Sequence, residues 1–487
     1  MRPYAIALSS IALALLSYFE FPGHTWLQQD TQIYVPILEH LRDPSVLRND
    51  ILVQHPHVAY TLYDEAAIGL RHLTGLGFLE VLTFQQIAIR ALGIWGLILM
   101  AEAMGLGLIA SVAAAAMVSL GAMIPGPQVL TTEYEPTPRA FAVPLLVCAL
   151  GLLAKRKWLG AGIAAAVAFL YHAPTALPFL GVLAVLMCGA RTRACVRHVL
   201  PTLLLAVLLL FLASRTPGQG AGEQSFLASL TPLQEQLQRM RTAYAWISMW
   251  PWPTIAQHLL VSAILLAAWW RVRSKCPQEL SFFLLGLPAL GLLSMPVSWL
   301  LLERWKWALV PQVQPMRTLL FVTLMMQFLT AIAGFYAART RRHAEAALWF
   351  ALAVALPLKP LLSGIPNYPR LHTPELSQVS AWARASTPSD AVFLFPDAGH
   401  NTYPGIFRSE ALRAVYVDWK GGGQVNYLKE LGEQWWSRWQ QVSVDFQAAD
   451  LARYRSLGIQ YVVVQARHRV AAPAVLENAA YCVYEVR

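Results

Sequence analysis

The sequence predicts an α-helical polytopic membrane protein of about 11 transmembrane helices with a small C-terminal extracytoplasmic α/β domain. Three observations predict it. Only 13% of the 487 residues are charged and 56% are hydrophobic, whereas a soluble domain carries about a quarter charged residues. Apolar runs of roughly membrane-spanning length recur through residues 1–359. Four tight basic clusters also fall on one side when the crossings are counted. They are Lys155-Arg156-Lys157, Arg191 with Arg193 and Arg197, Arg271 with Arg273 and Lys275, and Arg339 with Arg341 and Arg342. This is the positive-inside pattern, and it accounts for the net charge of +10 without a nucleic-acid partner. The five cysteines include no CxxC pair, so neither a disulfide framework nor a zinc signature is expected.

Taken in order, residues 4–21 form the first span, with Arg2 inside. No small-x-small cleavage site follows, so this span is expected to be uncleaved. A long first outer loop, 23–81, comes next. Within it, 31–41 reads as an amphipathic helix with Ile33, Ile37, Leu38 and Leu41 on one face, suited to lying on the membrane surface. Spans 82–103, 106–124 and 141–154 follow. Residues 158–187 are too long for one span, are interrupted at Tyr171-His172-Ala173-Pro174 and Pro178, and have basic clusters at both ends. Two short helices turning at His172 near the outer face satisfy all three facts. Five more spans are read at 199–213, 255–270, 280–302, 318–338 and 346–358. A second long outer loop, 215–252, carries a helical stretch at 232–246. From 360 to 487 the composition changes. Strand-like runs at 391–395, 414–419, 461–465 and 481–486 alternate with helical patterns at 374–385 and 427–446, which predicts an α/β domain on the outer side.

This topology selects the residues that could do chemistry. The cytoplasmic loops are short and basic, whereas the outer face collects acids and bases in several loops. Asp30 precedes Tyr34 by four residues, so the two share a helix face. A carboxylate there can act as general base or as ligand for a divalent cation such as Mg or Mn, or can simply cap the helix. Asp50, His55 and His57 follow in the same loop, and the two histidines are read as structural or substrate contacts. Glu133 and Glu135 flank Tyr134 near Arg139, either as a salt-bridged hinge or as further acids for the site. Arg139, Arg304, Lys306 and Arg317 lie at the outer ends of spans, where cations suit a lipid phosphate or anchor at the interface beside Trp299, Trp305 and Trp307. His172, at the helix break, is a candidate phosphate contact or base. In the C-terminal domain, Asp418-Trp419-Lys420-Gly421-Gly422-Gly423-Gln424 reads as a loop that approaches a ligand or a tight turn. Trp435, Trp436 and Trp439 downstream read as sugar-stacking faces or core aromatics.

The layout resembles the GT-C superfamily of polytopic glycosyltransferases. The matching features are Gln29-Asp30-Thr31-Gln32-Ile33-Tyr34 soon after the first span, the span count, and an extracytoplasmic C-terminal domain joined through Glu375 to Pro396. The resemblance implies an enzyme of a bacterial inner membrane, with the N-terminus cytoplasmic. It would transfer a sugar from a polyprenyl-phosphate donor to a glycan, lipid or protein acceptor on the outer (periplasmic) face. It implies that Asp30 is the base or a metal ligand. A DD or DxD pair is absent, since Thr31 follows Asp30. Direct displacement at the anomeric carbon needs no cofactor. Arg317, with Arg139 or Lys306, would stabilise the departing phosphate. Two other classes remain. One is a transporter or flippase for a lipid-linked glycan, using the broken helices near His172. The other is a non-catalytic protein of envelope-polysaccharide assembly.

Overall fold

The structure is a computed structural model that describes residues 2–55, 61–189, 196–213, 228–363, 371–443 and 451–486. Four helices are long and apolar enough to cross a membrane: Phe78–Ala103, Trp252–Lys275, Gln278–Arg304 and Val310–Arg339. Seven shorter apolar helices accompany them: Pro3–Phe19, Leu108–Ser119, Pro138–Ala154, Trp158–Tyr171, Ala173–Met187, Thr202–Phe211 and His343–Leu358. Each coincides with a segment read as a span from hydropathy. The long apolar segment does break at His172, which ends one helix and begins the next.

The bundle is assembled on two central helices. Leu319–Arg339 is almost wholly enclosed by its neighbours. Phe78–Ala103 meets Pro138–Ala154 backbone to backbone. A Cβ at Gly96 would lie 2.4 Å from the Val147 carbonyl, and one at Gly151 would lie 2.4 Å from the Gly96 carbonyl. Only glycine permits that approach, the small-residue contact by which helices pack in lipid. Large apolar side chains such as Phe84, Leu204, Leu260 and Trp270 point outward, as a hydrocarbon surround requires.

The C-terminal segment forms a five-stranded sheet, with spatial order Ala414–Val415, Val392–Leu394, Tyr461–Gln465, Tyr481–Glu485 and Leu476–Glu477. The first three strands are parallel and the last two join antiparallel. Helices Pro374–Ser386, Tyr403–Ala411 and Lys429–Ser443 accompany the sheet. The strand expected over 414–419 stops at Val415. Beyond it Asp418 receives the Arg408 guanidinium at 2.6 Å, and its carbonyl accepts Trp435 Nε1–H at 2.8 Å, so the chain is tied to side chains rather than to a ladder. The stretch expected as one helix at 232–246 is α-helical over Pro232–Arg241 and continues as 3-10 turns.

One expectation is corrected. The helix Thr31–Arg42 does not lie on a membrane surface. Ile33 and Ile37 pack with Val392, Leu394 and Val417 of the C-terminal domain. Leu38 packs with Phe78, Leu82 and Phe141 of the bundle. Residues flanking the apolar stripe, Thr31, Gln32 and Val35, are buried too. The helix is a joint with apolar cover on two sides.

A second correction concerns Asp50, expected as a substrate contact. It is fully buried. Its carboxylate accepts Arg408 Nε–H at 2.6 Å, Val415 N–H at 2.9 Å and Leu52 N–H at 3.0 Å. Arg408, also buried, bridges it to Asp418. Asp50 therefore fastens the first outer loop to the sheet. Removing one member of a buried ion network leaves an uncompensated charge, at a cost of about 3–5 kcal/mol. Arg408→Met is expected to lower stability by about that amount, read as an earlier thermal unfolding transition of the full chain in detergent. A transition unchanged from wild type would refute the role.

Candidate functional site

The site is built from the turn that precedes the helix Thr31–Arg42. Glu135, in the loop after the third apolar segment, is buried and reaches back to this turn. Its Oε1 accepts the N–H groups of Gln28 and Gln29, both at 2.7 Å, and its Oε2 accepts that of Thr31 at 3.0 Å. Burial pushes the Glu135 carboxyl above its ordinary range, while the three N–H bonds pull the other way. Nearby, Thr25 N–H bonds to the Tyr134 carbonyl at 3.1 Å, and Tyr63 Oη–H bonds to the Pro136 carbonyl at 2.7 Å. Of the two acids read as a salt-bridged hinge, Glu133 pairs with Arg139, whereas the partners of Glu135 are backbone amides.

Asp30 stands at the N-cap position of that helix and makes no cap hydrogen bond. Its carboxylate instead accepts Lys420 Nζ–H from the C-terminal domain, at 2.7 Å. Protein surrounds Asp30 closely, yet its side chain is 45% exposed. It therefore faces an open cleft rather than packed atoms. Burial alone would raise the carboxyl. Lys420, with Arg139 and Arg317 behind it, reverses this and holds it well below the usual carboxylate range. Tyr34 and Tyr427 lie within electrostatic reach of Asp30, and Tyr34 leans on Tyr63 with ring centroids 5.3 Å apart.

The two arginines differ. Arg139 is buried and paired with Glu133 at 2.7 Å. Arg317 makes no salt bridge among the described residues. Its Nε is buried without a hydrogen-bond partner, and its guanidinium lies 5.6 Å from the Tyr244 ring centroid. His172 faces both arginines and lines a small cavity with Arg317 and Phe321. Its Nδ1 accepts Thr175 N–H at 3.2 Å, capping the second half of the broken helix pair. Arg139 and Glu133 also stand in the wall of a larger cavity of about 50 Å³. Arg90, Gln86 and Thr131 line it beside them, and Ile94, Leu97, Val118, Val143 and Leu324 supply its apolar walls. Asp64, on the helix Tyr63–Thr74, is buried and pushed up to about 8 by that burial and by Glu65, so it stays protonated at neutral pH.

The structure thus brings Asp30, Tyr34, Glu133, Glu135, Arg139, His172 and Arg317 together from four separate segments. It places the others elsewhere. Lys306 pairs with Glu235 at 2.6 Å. Arg304 is exposed over the Trp299 ring, 4.8 Å from its centroid, the interfacial arrangement. His55 contacts Gln434 Oε1 at 3.2 Å, and His57 lies outside the described residues. The groups nearest Asp30 are cations, a donor set that does not suit a divalent metal ion, and no trio of His, Cys, Asp or Glu converges among the described residues.

Lys420, Tyr427 and Tyr244 are members that inspection of the sequence does not assign. The signal for Lys420 was the run from Asp418 to Gln424, in which Gly422 serves packing while Gly423 borders open space. A Cβ at Gly422 would lie 2.4 Å from the Trp435 ring and 2.9 Å from Arg241 Nε. The nearby tryptophans pack on the domain core, Trp435 within it and Trp419, Trp436 and Trp439 partly buried against it. Trp435 is fully buried, and Trp419 is sandwiched between His400, stacked at 3.8 Å, and Arg241, 3.6 Å from its ring centroid.

A family described as a domain of unknown function, DUF6798, matches residues 374–442, a stretch that includes Lys420 and Trp435. No curated protein matches the chain. Among solved structures it is similar to the arabinofuranosyltransferase AftD from Mycobacteria, at 17% identity and a TM-score of 0.52 over 100% of this chain and 40% of that one. The R1389S mutant of the same protein aligns at 16% identity and a TM-score of 0.50, over 100% and 42%. The chain therefore spans about two fifths of the length of the AftD chains it matches, and at this identity the likeness is one of fold. ArnT from Cupriavidus metallidurans aligns at 12% identity and a TM-score of 0.41, over 99% and 98%, a score on which nothing rests.

If Glu135 holds the turn, Glu135→Ala frees three amides at once. Hydrogen exchange at Gln28, Gln29 and Thr31 is expected to accelerate by about tenfold or more. Exchange at the wild-type rate would show that the turn is held by something else.

Proposed function

We propose that this protein is an integral-membrane glycosyltransferase of the GT-C type. In this reading it moves a sugar from a polyprenyl-phosphate donor to a hydroxyl of a glycan, lipid or protein on the extracytoplasmic face. One observation carries it. Asp30 faces a cleft with cations from three elements within electrostatic reach, and one of them, Arg317, makes no salt bridge among the described residues. A solvent-facing carboxylate beside cations suits a reaction that removes a proton and expels a phosphate. The cavity beside Arg139 joins polar residues to apolar walls, the mix of surface chemistry that a prenyl phosphate calls for. The likeness of fold to AftD agrees with this reading.

In the step proposed, Asp30 takes the proton of the acceptor hydroxyl. The hydroxyl oxygen bonds to the anomeric carbon as the bond from that carbon to the phosphate oxygen breaks. The bonding pair leaves with the lipid phosphate, whose charge Arg317 and Arg139 stabilise. His172 lines the small cavity beside Arg317 and lies within electrostatic reach of both arginines. The chain's own residues provide base and anion stabilisation, and no step is routed through a divalent cation. In this reading the bundle lies in an inner membrane and 360–487 form a periplasmic domain that brings Lys420 to Asp30.

Detergent-purified protein offered a panel of polyprenyl-phosphate sugars is expected to transfer one of them, and Asp30→Asn is expected to lower kcat by about 100-fold or more. Turnover undiminished in Asp30→Asn would remove Asp30 as base. No turnover of any donor by folded wild type would favour the transporter or assembly reading. Because Asp30 titrates well below the ordinary carboxylate range, it is ionised throughout neutral and mildly acidic pH. The wild-type kcat/KM profile is therefore expected to show no acid limb from this group between about pH 5 and 7. A limb there that disappears in Asp30→Asn would contradict the assignment.

A further inference from the structure

The ion pair between Asp30 and Lys420 sets a problem that the transferase reading leaves open. A carboxylate held by an ammonium is a weak base, yet the reading asks Asp30 to take a proton. We propose that Lys420 is an anion ligand lent to the membrane bundle by the C-terminal domain, and that the phosphate of the incoming ligand takes Lys420 from Asp30. The proposal rests on the transferase reading only in naming Asp30 as base. The exchange of partners is a binding event and can be measured without turnover.

Four features carry it. The backbone around Lys420 is clamped: the Asp418 carbonyl accepts Trp435 Nε1–H at 2.8 Å, and the Trp419 carbonyl accepts Arg241 Nη2–H. Gly422 is wedged between Trp435 and Arg241. The fixed point therefore lies at the Cα of Lys420, and only its four-carbon stem is free to swing its charge. Second, Asp30 is 45% exposed while Lys420 is 16% exposed, so a ligand in the cleft reaches the pair from the carboxylate side. Third, Arg317, within electrostatic reach of Asp30, has no carboxylate of its own. A phosphate drawn to Arg317 arrives beside Lys420 and competes with Asp30 for it. Fourth, the groups facing Asp30 are Lys420, Arg139, Arg317, Tyr34, Tyr427 and Glu135. Arg139 is committed to Glu133 at 2.7 Å, so Lys420 is the cation whose transfer most directly alters the proton affinity of Asp30.

The exchange couples binding to chemistry. With the site empty, Lys420 neutralises Asp30. With phosphate bound, the ammonium moves to the phosphate, and the carboxylate is released next to where the acceptor hydroxyl must lie. No bond is made or broken in this step, and charge is conserved. It gives the C-terminal domain a place in the reaction centre beyond covering it.

The test is titration of the full chain in detergent with farnesyl phosphate, in wild type, Asp30→Asn, Lys420→Met and the double variant. Lys420→Met is expected to bind about tenfold more weakly than wild type, and Asp30→Asn about tenfold more tightly, because it no longer competes for the ammonium. The deciding quantity is the coupling between them. The gain from Asp30→Asn is expected to shrink to about twofold or less when Lys420 is absent. An equal gain in both backgrounds would mean simple repulsion by Asp30 and would overturn the exchange, as would wild-type affinity in Lys420→Met. Should Lys420→Met not purify folded, Lys420→Gln replaces it, with Lys420→Arg as the charge-retaining control. Inorganic phosphate, titrated into the same four proteins, identifies the source of the anion. The same coupling with it assigns a free anion, and its absence assigns a lipid-borne one. Intact coupling in a protein that transfers no sugar would remove the transferase reading and leave the anion site standing. Transfer without coupling would do the reverse.

Discussion

The architecture around the cleft depends on one buried carboxylate. Glu135 gathers the N–H groups of Gln28 and Gln29, in the turn before the helix Thr31–Arg42, and of Thr31, its first residue. The N–H groups at a helix start need acceptors. A distant loop supplies the one for Thr31, backbone carbonyls of Gln29 and Asp30 take those of Gln32 and Ile33, and the Asp30 side chain, with no capping bond to make, faces the cleft. The position of Asp30 thus follows from an interaction 105 residues away in the chain, Asp30 to Glu135. The energetic reason is plain: buried N–H groups without partners are costly, and an anionic acceptor satisfies several at once.

The same helix fastens the two halves of the molecule. One side of it joins an apolar cluster with the sheet and the other joins the bundle. The Asp50–Arg408–Asp418 network repeats the connection in charge. Such a network contributes little net stability compared with apolar packing, but it is directional. It sets the register in which the Asp418–Gly423 loop meets the first outer loop, and so sets where Lys420 falls. Packing holds the domains together, and the buried ions decide their alignment.

Charge around the cleft follows a consistent division. Arg139, a cation with a committed partner in Glu133, shapes the wall. Arg317 makes no salt bridge among the described residues; it has an aromatic neighbour, and Asp30 lies within electrostatic reach. A partly buried arginine with no salt-bridge partner favours a visiting anion, which is the physical basis for placing phosphate there.

Hydropathy and the basic clusters determined the helical membrane class, the positions of the apolar helices, the break at His172 and the change to α/β at about residue 360. Period and charge asymmetry are local properties and survive without tertiary knowledge. The strand Tyr461–Gln465 was legible to the residue because it is a short continuous run of β-branched and aromatic residues, whereas the helix Tyr403–Ala411 was not, since a nine-residue helix buried along most of its length has little periodic signal. Seven of the residues singled out as chemistry do converge, because topology places them on one face. What remained illegible was pairing. The sequence shows a surface-type amphipathic stripe at 31–41 but not that the C-terminal domain covers it. It shows Asp50 and Asp30 as similar loop acids, though Arg408 buries one and the other meets Lys420 390 residues later. Only the tertiary structure decides which acid is neutralised in the core and which is left facing the cleft, because desolvation and counter-ion distance are properties of the assembled fold, not of the residue.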